Sequence, residues 1–152
     1  MRITALERQP RGGCVNLHLD HSLALALSLD VCVQFGLRAG DSLSAERLAK
    51  VSDAQARHAA LESALRLLAY RPRSEAELRG RLARKGVARD VLEGTINRVR
   101  ELRLIDDEAF ARYLVESRDR TSPRGRRLMA SELRAKGYRP RRYSAISGDG
   151  RR

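Results

Sequence analysis

Two stretches of this chain set the same residue types at the same spacing, 51 residues apart: RPRSEAELRGRLARKGV at 71–87 and SPRGRRLMASELRAKGY at 122–138. Pro72, Arg73, Leu82, Lys85 and Gly86 recur as Pro123, Arg124, Leu133, Lys136 and Gly137, and Leu78 is answered by Met129. Recurring guanidinium and ammonium groups point to binding chemistry, the holding of a polyanion or an acidic protein groove. The charge distribution agrees. Residues 1–52 carry 6 Lys/Arg and 5 Asp/Glu, residues 53–117 carry 13 and 11, and residues 118–152 carry 12 and 3, so most of the net +12 lies at the C-terminal end.

Other reactive side chains fall in no catalytic or ligating pattern. Cys14 and Cys32 form no C-x-x-C pair and read as buried thiols. His18, His21 and His58 lack metal-ligand partners at useful spacing. Neither a G-x-x-x-x-G-K-[ST] phosphate loop nor a G-x-S-x-G nucleophile turn is present. The expectation is a protein that is not an enzyme and needs no metal or cofactor.

The cations need helices to position them. In the first copy Ser74 and Glu77 have the S-x-x-E spacing of a capping box, Leu78 and Leu82 share a helix face, and Gly86 supplies a left-handed stop. In the second copy Pro123 presets φ for a helix start, Ser122 offers a cap, Met129 and Leu133 repeat the apolar pair, and Gly137 repeats the stop. Asp106 and Asp107 precede a helix with Phe110, Tyr113 and Leu114 as its buried stripe, so capping is their expected work rather than metal binding.

Around these copies the chain changes character. Residues 2–8, 14–19 and 23–27 read as strands, with turns at Gly12-Gly13 and at Asp20-His21-Ser22. Residues 30–35 read as a short helix ending at Gly36; Ser44 caps another, with Leu43 and Leu48 as a hydrophobic staple. Ser52 or Asp53 opens a further helix to about Tyr70, with Leu61, Ala64, Leu65 and Leu68 on one face. Leu92, Ile96 and Val99 mark a third helix of the first repeat. The expected class is mainly α: a small N-terminal β module at 1–52, a three-helix repeat at 53–105, a partial second repeat at 106–137 and a basic, disordered tail at 138–152. No apolar run is long enough to span a membrane, and the first ten residues lack a secretory core, so a cytoplasmic location is expected.

The run ALRLLAYRPRSEAELRGRLARKGV, then LRLIDDEAFARYLVESR and ELRAKG, resembles the RecX family of bacterial RecA regulators, and ITALERQ, VNLHLD and GLRAGDSLS resemble the β-hairpin extension of its longer members. The resemblance implies tandem three-helix repeats in an elongated, curved body. It implies a non-enzymatic, monomeric protein that lies in the groove of the RecA–DNA filament and meets single-stranded DNA through it. That binding would limit strand exchange, ATP hydrolysis and co-protease activity, and so tune recombination, DNA repair and the SOS response. Carried onto this chain, the basic contact positions are Arg71, Arg73, Arg81, Arg84 and Lys85, with Arg124, Arg126, Arg127, Arg134 and Lys136. Family members show three repeats, whereas this chain stops within the second. A direct nucleic-acid binder using Ser74–Lys85 as recognition helix is the alternative. Against it, Leu78 and Leu82 need a core and Glu75 and Glu77 would face phosphates. A truncated remnant with reduced activity is the third reading.

Overall fold

The computed structural model describes residues 1–121 and 125–137, leaving aside the side chains of residues 119–121, 126 and 127. The elements run β1 (Ile3–Arg8), β2 (Cys14–Leu19), β3 (Ser22–Ser28), α1 (Leu29–Phe35), α2 (Ala45–Tyr70), α3 (Glu75–Arg84), α4 (Arg89–Glu101), α5 (Asp107–Thr121) and α6 (Arg126–Ala135). They divide into two compact units, Met1–Ala59 and Ala60–Arg152.

The first unit is an antiparallel sheet in the order β1-β2-β3, backed by helix. Along β2 the pleat alternates as its sequence does: Val15, Leu17 and Leu19 are buried, and Cys14, Asn16 and His18 half-buried. The two-residue β2–β3 turn needs left-handed backbone at both central positions, and Asp20 and His21 adopt it at φ 48° and 68°. Neighbouring β1 steadies the turn: the Arg2 backbone N–H donates to Asp20 Oδ1 at 3.0 Å, and the His21 N–H donates to Thr4 Oγ1 at 3.0 Å. Ser28 caps α1 by accepting from the Val31 N–H at 3.2 Å, and Gly36 ends it at φ 59°. Ile3, Leu17, Leu27, Val31, Leu43 and Val51 form the core.

The sequence suggested two helices meeting at Ser52-Asp53; residues 45–70 form one. Ser44 caps it, accepting from the Arg47 N–H at 3.1 Å, and Leu43 and Leu48 meet in the core as a staple would. No Gly or Pro interrupts the stretch, and Asp53 spends its carboxylate on Arg57 Nε one turn on, at 2.9 Å. A residue that caps well also serves as an i,i+4 partner, and only the surrounding helix decides which.

In the second unit each repeat has its own core. Ala64, Leu78, Leu82, Leu92, Ile96 and Val99 build the first; Phe110, Ala111, Leu114, Met129 and Leu133 build the second. The recurring apolar pairs are therefore equivalent in burial as well as in spacing. Two stripe assignments differ from the expected ones. Leu65 is 37 % exposed, while Leu67 joins Leu61 and Leu68 at the core; Tyr113 is half-buried, while Ala111 is fully buried.

The helix stops follow from glycine. After α3 the Gly86 N–H bonds the Ala83 carbonyl at 3.0 Å and the Val87 N–H bonds that of Leu82 at 3.2 Å, a Schellman pair around Gly86 at φ 85°. Gly137 repeats the left-handed stop at φ 94° after α6. Helix α4 ends on the same pair of bonds, Arg103 N–H to Arg100 and Leu104 N–H to Val99, both at 2.9 Å, with Arg103 at φ 56° where glycine would be easier.

Candidate polyanion-binding cleft

The start of α3 organises the second unit. Ser74 is 0 % exposed; its Oγ accepts from the Glu77 N–H at 3.1 Å and donates to the carbonyl of Lys136, the residue that closes α6. One hydroxyl thus satisfies an orphan donor of α3 and an orphan acceptor of α6. The expected acidic pair divides its work. Asp106 Oδ1 caps its own helix, accepting from Glu108 and Ala109 N–H groups at 3.0 and 3.1 Å, whereas Asp107 Oδ1 accepts from the Glu75 N–H of α3 at 3.2 Å. Gly137 lies so close to α3 that a β-carbon on it would overlap the Ala76 methyl. Both ends of the α5–α6 pair therefore close on the first turn of α3.

Beside this junction opens a cleft of about 360 Å³ lined by Arg71, Arg73, Arg81, Arg84 and Lys136, with Glu77 as the one carboxylate among the described lining residues. Arg71 grips Glu77 with both terminal nitrogens, at 3.2 and 2.7 Å, and Lys136 Nζ stands 3.9 Å from the same carboxylate. Burial pushes the Glu77 pKa up, but Arg71, Lys136 and the Ser74 N–H outweigh it and hold the carboxylate below its ordinary range. Arg73 is only 7 % exposed, and its Nε donates to the Leu67 carbonyl near the end of α2 at 3.1 Å. Burial first, then repulsion from Arg71 and Arg81, draws the Arg73 pKa below its ordinary value.

Arg81 and Arg84 are exposed and make no ion pair among the described residues. Lys85 and Arg134 are exposed as well, outside the cleft lining. Arg124 lies outside the described residues, and Arg126 and Arg127 open α6 with side chains outside the description. Ser122 and Pro123 also lie outside it; Gly125 holds the N-cap position of α6, with no side-chain capping bond. The tail at 138–152 lies outside the described residues.

Sequence reasoning missed which cations are already neutralised. Glu75 and Glu93 clamp Arg79, with Glu93 Oε2 at 3.0 Å from one terminal nitrogen; Glu75 also takes Arg100 Nε at 2.6 Å, and Glu132 takes Arg118 at 2.6 Å. The Arg79–Glu75 pair is visible as i,i+4 spacing, but the others join residues 14 or 25 apart and carry no local signal. Gly80, inside α3, carries no spacing signal either. A glycine inside a helix weakens it by about 1 kcal/mol relative to alanine. Nothing lies within 4 Å of where its β-carbon would stand, and its bare backbone lines the cleft between Glu77 and Arg84.

Fold and cleft together define a mainly helical protein: one unit holds a small antiparallel sheet, and in the other the α5–α6 pair closes on α3 beside a cation-lined groove. Residues 60–98 match the family model "RecX, first three-helix domain", and residues 106–137 match "RecX, second three-helix domain". The chain belongs to the RecX family. It is 32 % identical over 135 residues to the regulatory protein RecX of Lactobacillus johnsonii, covering 89 % of this chain and 50 % of that one. It is 34 % identical over 137 residues to that of Geobacillus thermodenitrificans, covering 89 % and 51 %. The chain spans about half the length of the curated relatives it matches. A crystal structure of regulatory protein RecX superimposes with a TM-score of 0.74 at 26 % identity, covering 97 % of this chain and 72 % of that one. The RecX of Lactobacillus salivarius gives 0.56 at 25 %, covering 61 % and 60 %. Among the described residues no helix is long and apolar enough to cross a membrane.

Proposed function

We propose that this protein is a non-enzymatic, cytoplasmic regulator that binds the RecA–DNA filament as a monomer. It would limit strand exchange, ATP hydrolysis and co-protease activity, and through them recombination, DNA repair and the SOS response. The observation that carries this reading is the cleft beside α3, where Arg81 and Arg84 stand exposed and make no ion pair among the described residues. Residues 1–52, 53–105 and 106–137 act as the working units, with 138–152 adding basic charge. Contact is multivalent: each patch binds weakly, and the first to engage raises the effective concentration of the next.

The same cleft favours a second reading, nonspecific binding to a nucleic-acid backbone. Salt separates the two, because phosphate binding releases counterions and weakens steeply with ionic strength. The test is RecA ATP hydrolysis on single-stranded DNA during titration with this protein, run beside bare-DNA binding at moderate salt. Inhibition where bare DNA is unbound supports the filament regulator. Inhibition that vanishes together with bare-DNA binding assigns the cleft to nucleic acid alone.

A further inference from the structure

The N-terminal unit holds a concavity of different chemistry, and the inference drawn from it does not rest on the RecA reading. A groove of about 420 Å³ is lined from the sheet by Leu6, Arg8 and Val15 and from α1 and the turn after it by Leu29, Val33 and Arg38. Leu29 and Val33 sit one turn apart on α1 and are 40 % and 72 % exposed, although the same helix buries Val31 and Cys32. Two aliphatic side chains facing water along one groove edge form an apolar strip of the kind that marks an interaction surface.

The charges give that surface a sign. Among the described residues two cations and no carboxylate line the groove. Of the nearby acids, Glu7 stands 3.5 Å from His18, Asp30 stands 4.0 Å from His58, and Asp41 accepts from the backbone N–H of Arg38 at 3.1 Å. Neither Arg8 nor Arg38 makes an ion pair among the described residues. We propose that this groove docks a short acidic segment of a partner protein. An apolar side chain of that segment would seat against Leu29 and Val33, between carboxylates that meet Arg8 and Arg38. The volume suits a few side chains rather than a domain face, and complementary charge supplies orientation and sign selectivity.

The test uses the full chain and three fluorescein-labelled heptapeptides, each with a central Leu-Phe-Leu flanked on both sides by a pair of glutamates, glutamines or lysines. Fluorescence polarisation should give the glutamate peptide a Kd on the order of 100 µM or tighter. The glutamine peptide should bind ~10-fold more weakly and the lysine peptide more weakly still. Val33→Glu alters an exposed position and should abolish binding with the circular dichroism spectrum unchanged. The double variant Arg8→Glu with Arg38→Glu should turn the preference toward lysine, a result that mere misfolding would not give. Equal binding of all three peptides, persistence of glutamate-peptide binding in Val33→Glu, or no binding up to about 1 mM would overturn the proposal. So would self-association in sedimentation that Val33→Glu abolishes, since a second copy would then fill the groove.

Discussion

The two copies of the repeated element differ most at their ends. In the first, α3 opens on Ser74, whose hydroxyl caps it, and closes on Gly86, which has nothing within 4 Å of its missing β-carbon. In the second, α6 opens on Gly125 with no side-chain cap and closes on Gly137, packed against Ala76 of the first copy. One sequence pattern serves two purposes because the copies meet head to tail. The carbonyl end of α6 lies against the amide end of α3, an arrangement in which helix dipoles attract. The first copy supplies a cap and the second is held by it.

The largest expected effect comes from the glycines. Gly86→Ala meets only the left-handed backbone and should cost about 1 kcal/mol. Gly137→Ala meets the same backbone and the Ala76 methyl, and overpacking adds a further 1–3 kcal/mol, so about 3 kcal/mol is expected in denaturant melts. Ala76→Gly should restore part of the loss in Gly137→Ala and none of it in Gly86→Ala. Equal costs at the two glycines would mean the copies do not touch.

Ser74→Ala comes next. It removes the α3 cap, about 1 kcal/mol, and leaves the Lys136 carbonyl without its donor, about 1 kcal/mol more. Hydrogen exchange should show the end of α6 loosening along with the start of α3. Loosening confined to α3 would break the head-to-tail account.

A pH dependence follows from Glu77. Its folded pKa lies below its unfolded one, so its contribution is complete above the ordinary carboxylate value of 4.5 and is lost as pH falls through the lower, folded value. Glu77→Gln should flatten the stability profile below pH 4.5 and leave its shape unchanged near neutrality. A profile equally steep in the variant would place the acid-sensitive group elsewhere.

The smallest effect concerns the third stop. Arg103 holds a left-handed position that its side chain resists, and Arg103→Gly should raise stability by about 0.5–1 kcal/mol. A loss instead would show that the Arg103 side chain contributes more than its strain removes.

Much of this was legible in the sequence because it is local. The Ser74–Glu77 spacing, the Lys-Gly stops and the apolar pairs Leu78/Leu82 and Met129/Leu133 each act within one or two helical turns, and each took the expected place. The continuity of α2 through Ser52-Asp53 was hidden because the same carboxylate suits a cap and an i,i+4 pair. Of the predicted cations, spacing could not separate Arg71, held by Glu77, from Arg81, which faces the cleft without an ion pair among the described residues. The reach of Asp107 to Glu75 joins residues 32 apart and exists only once the repeats have closed.

The central claim is that the cleft cations without ion pairs, and not arginines in general, carry regulation. Inhibition of RecA ATP hydrolysis should be compared for the parent protein, for Arg81→Ala with Arg84→Ala, and for Arg79→Ala with Arg100→Ala, all below their melting temperatures. The account predicts that the cleft pair raises the half-inhibiting concentration ~10-fold or more and shallows its salt dependence, while the paired arginines change it less than about 2-fold. Equal losses in the two variants, or a larger loss from Arg79 and Arg100, would contradict it.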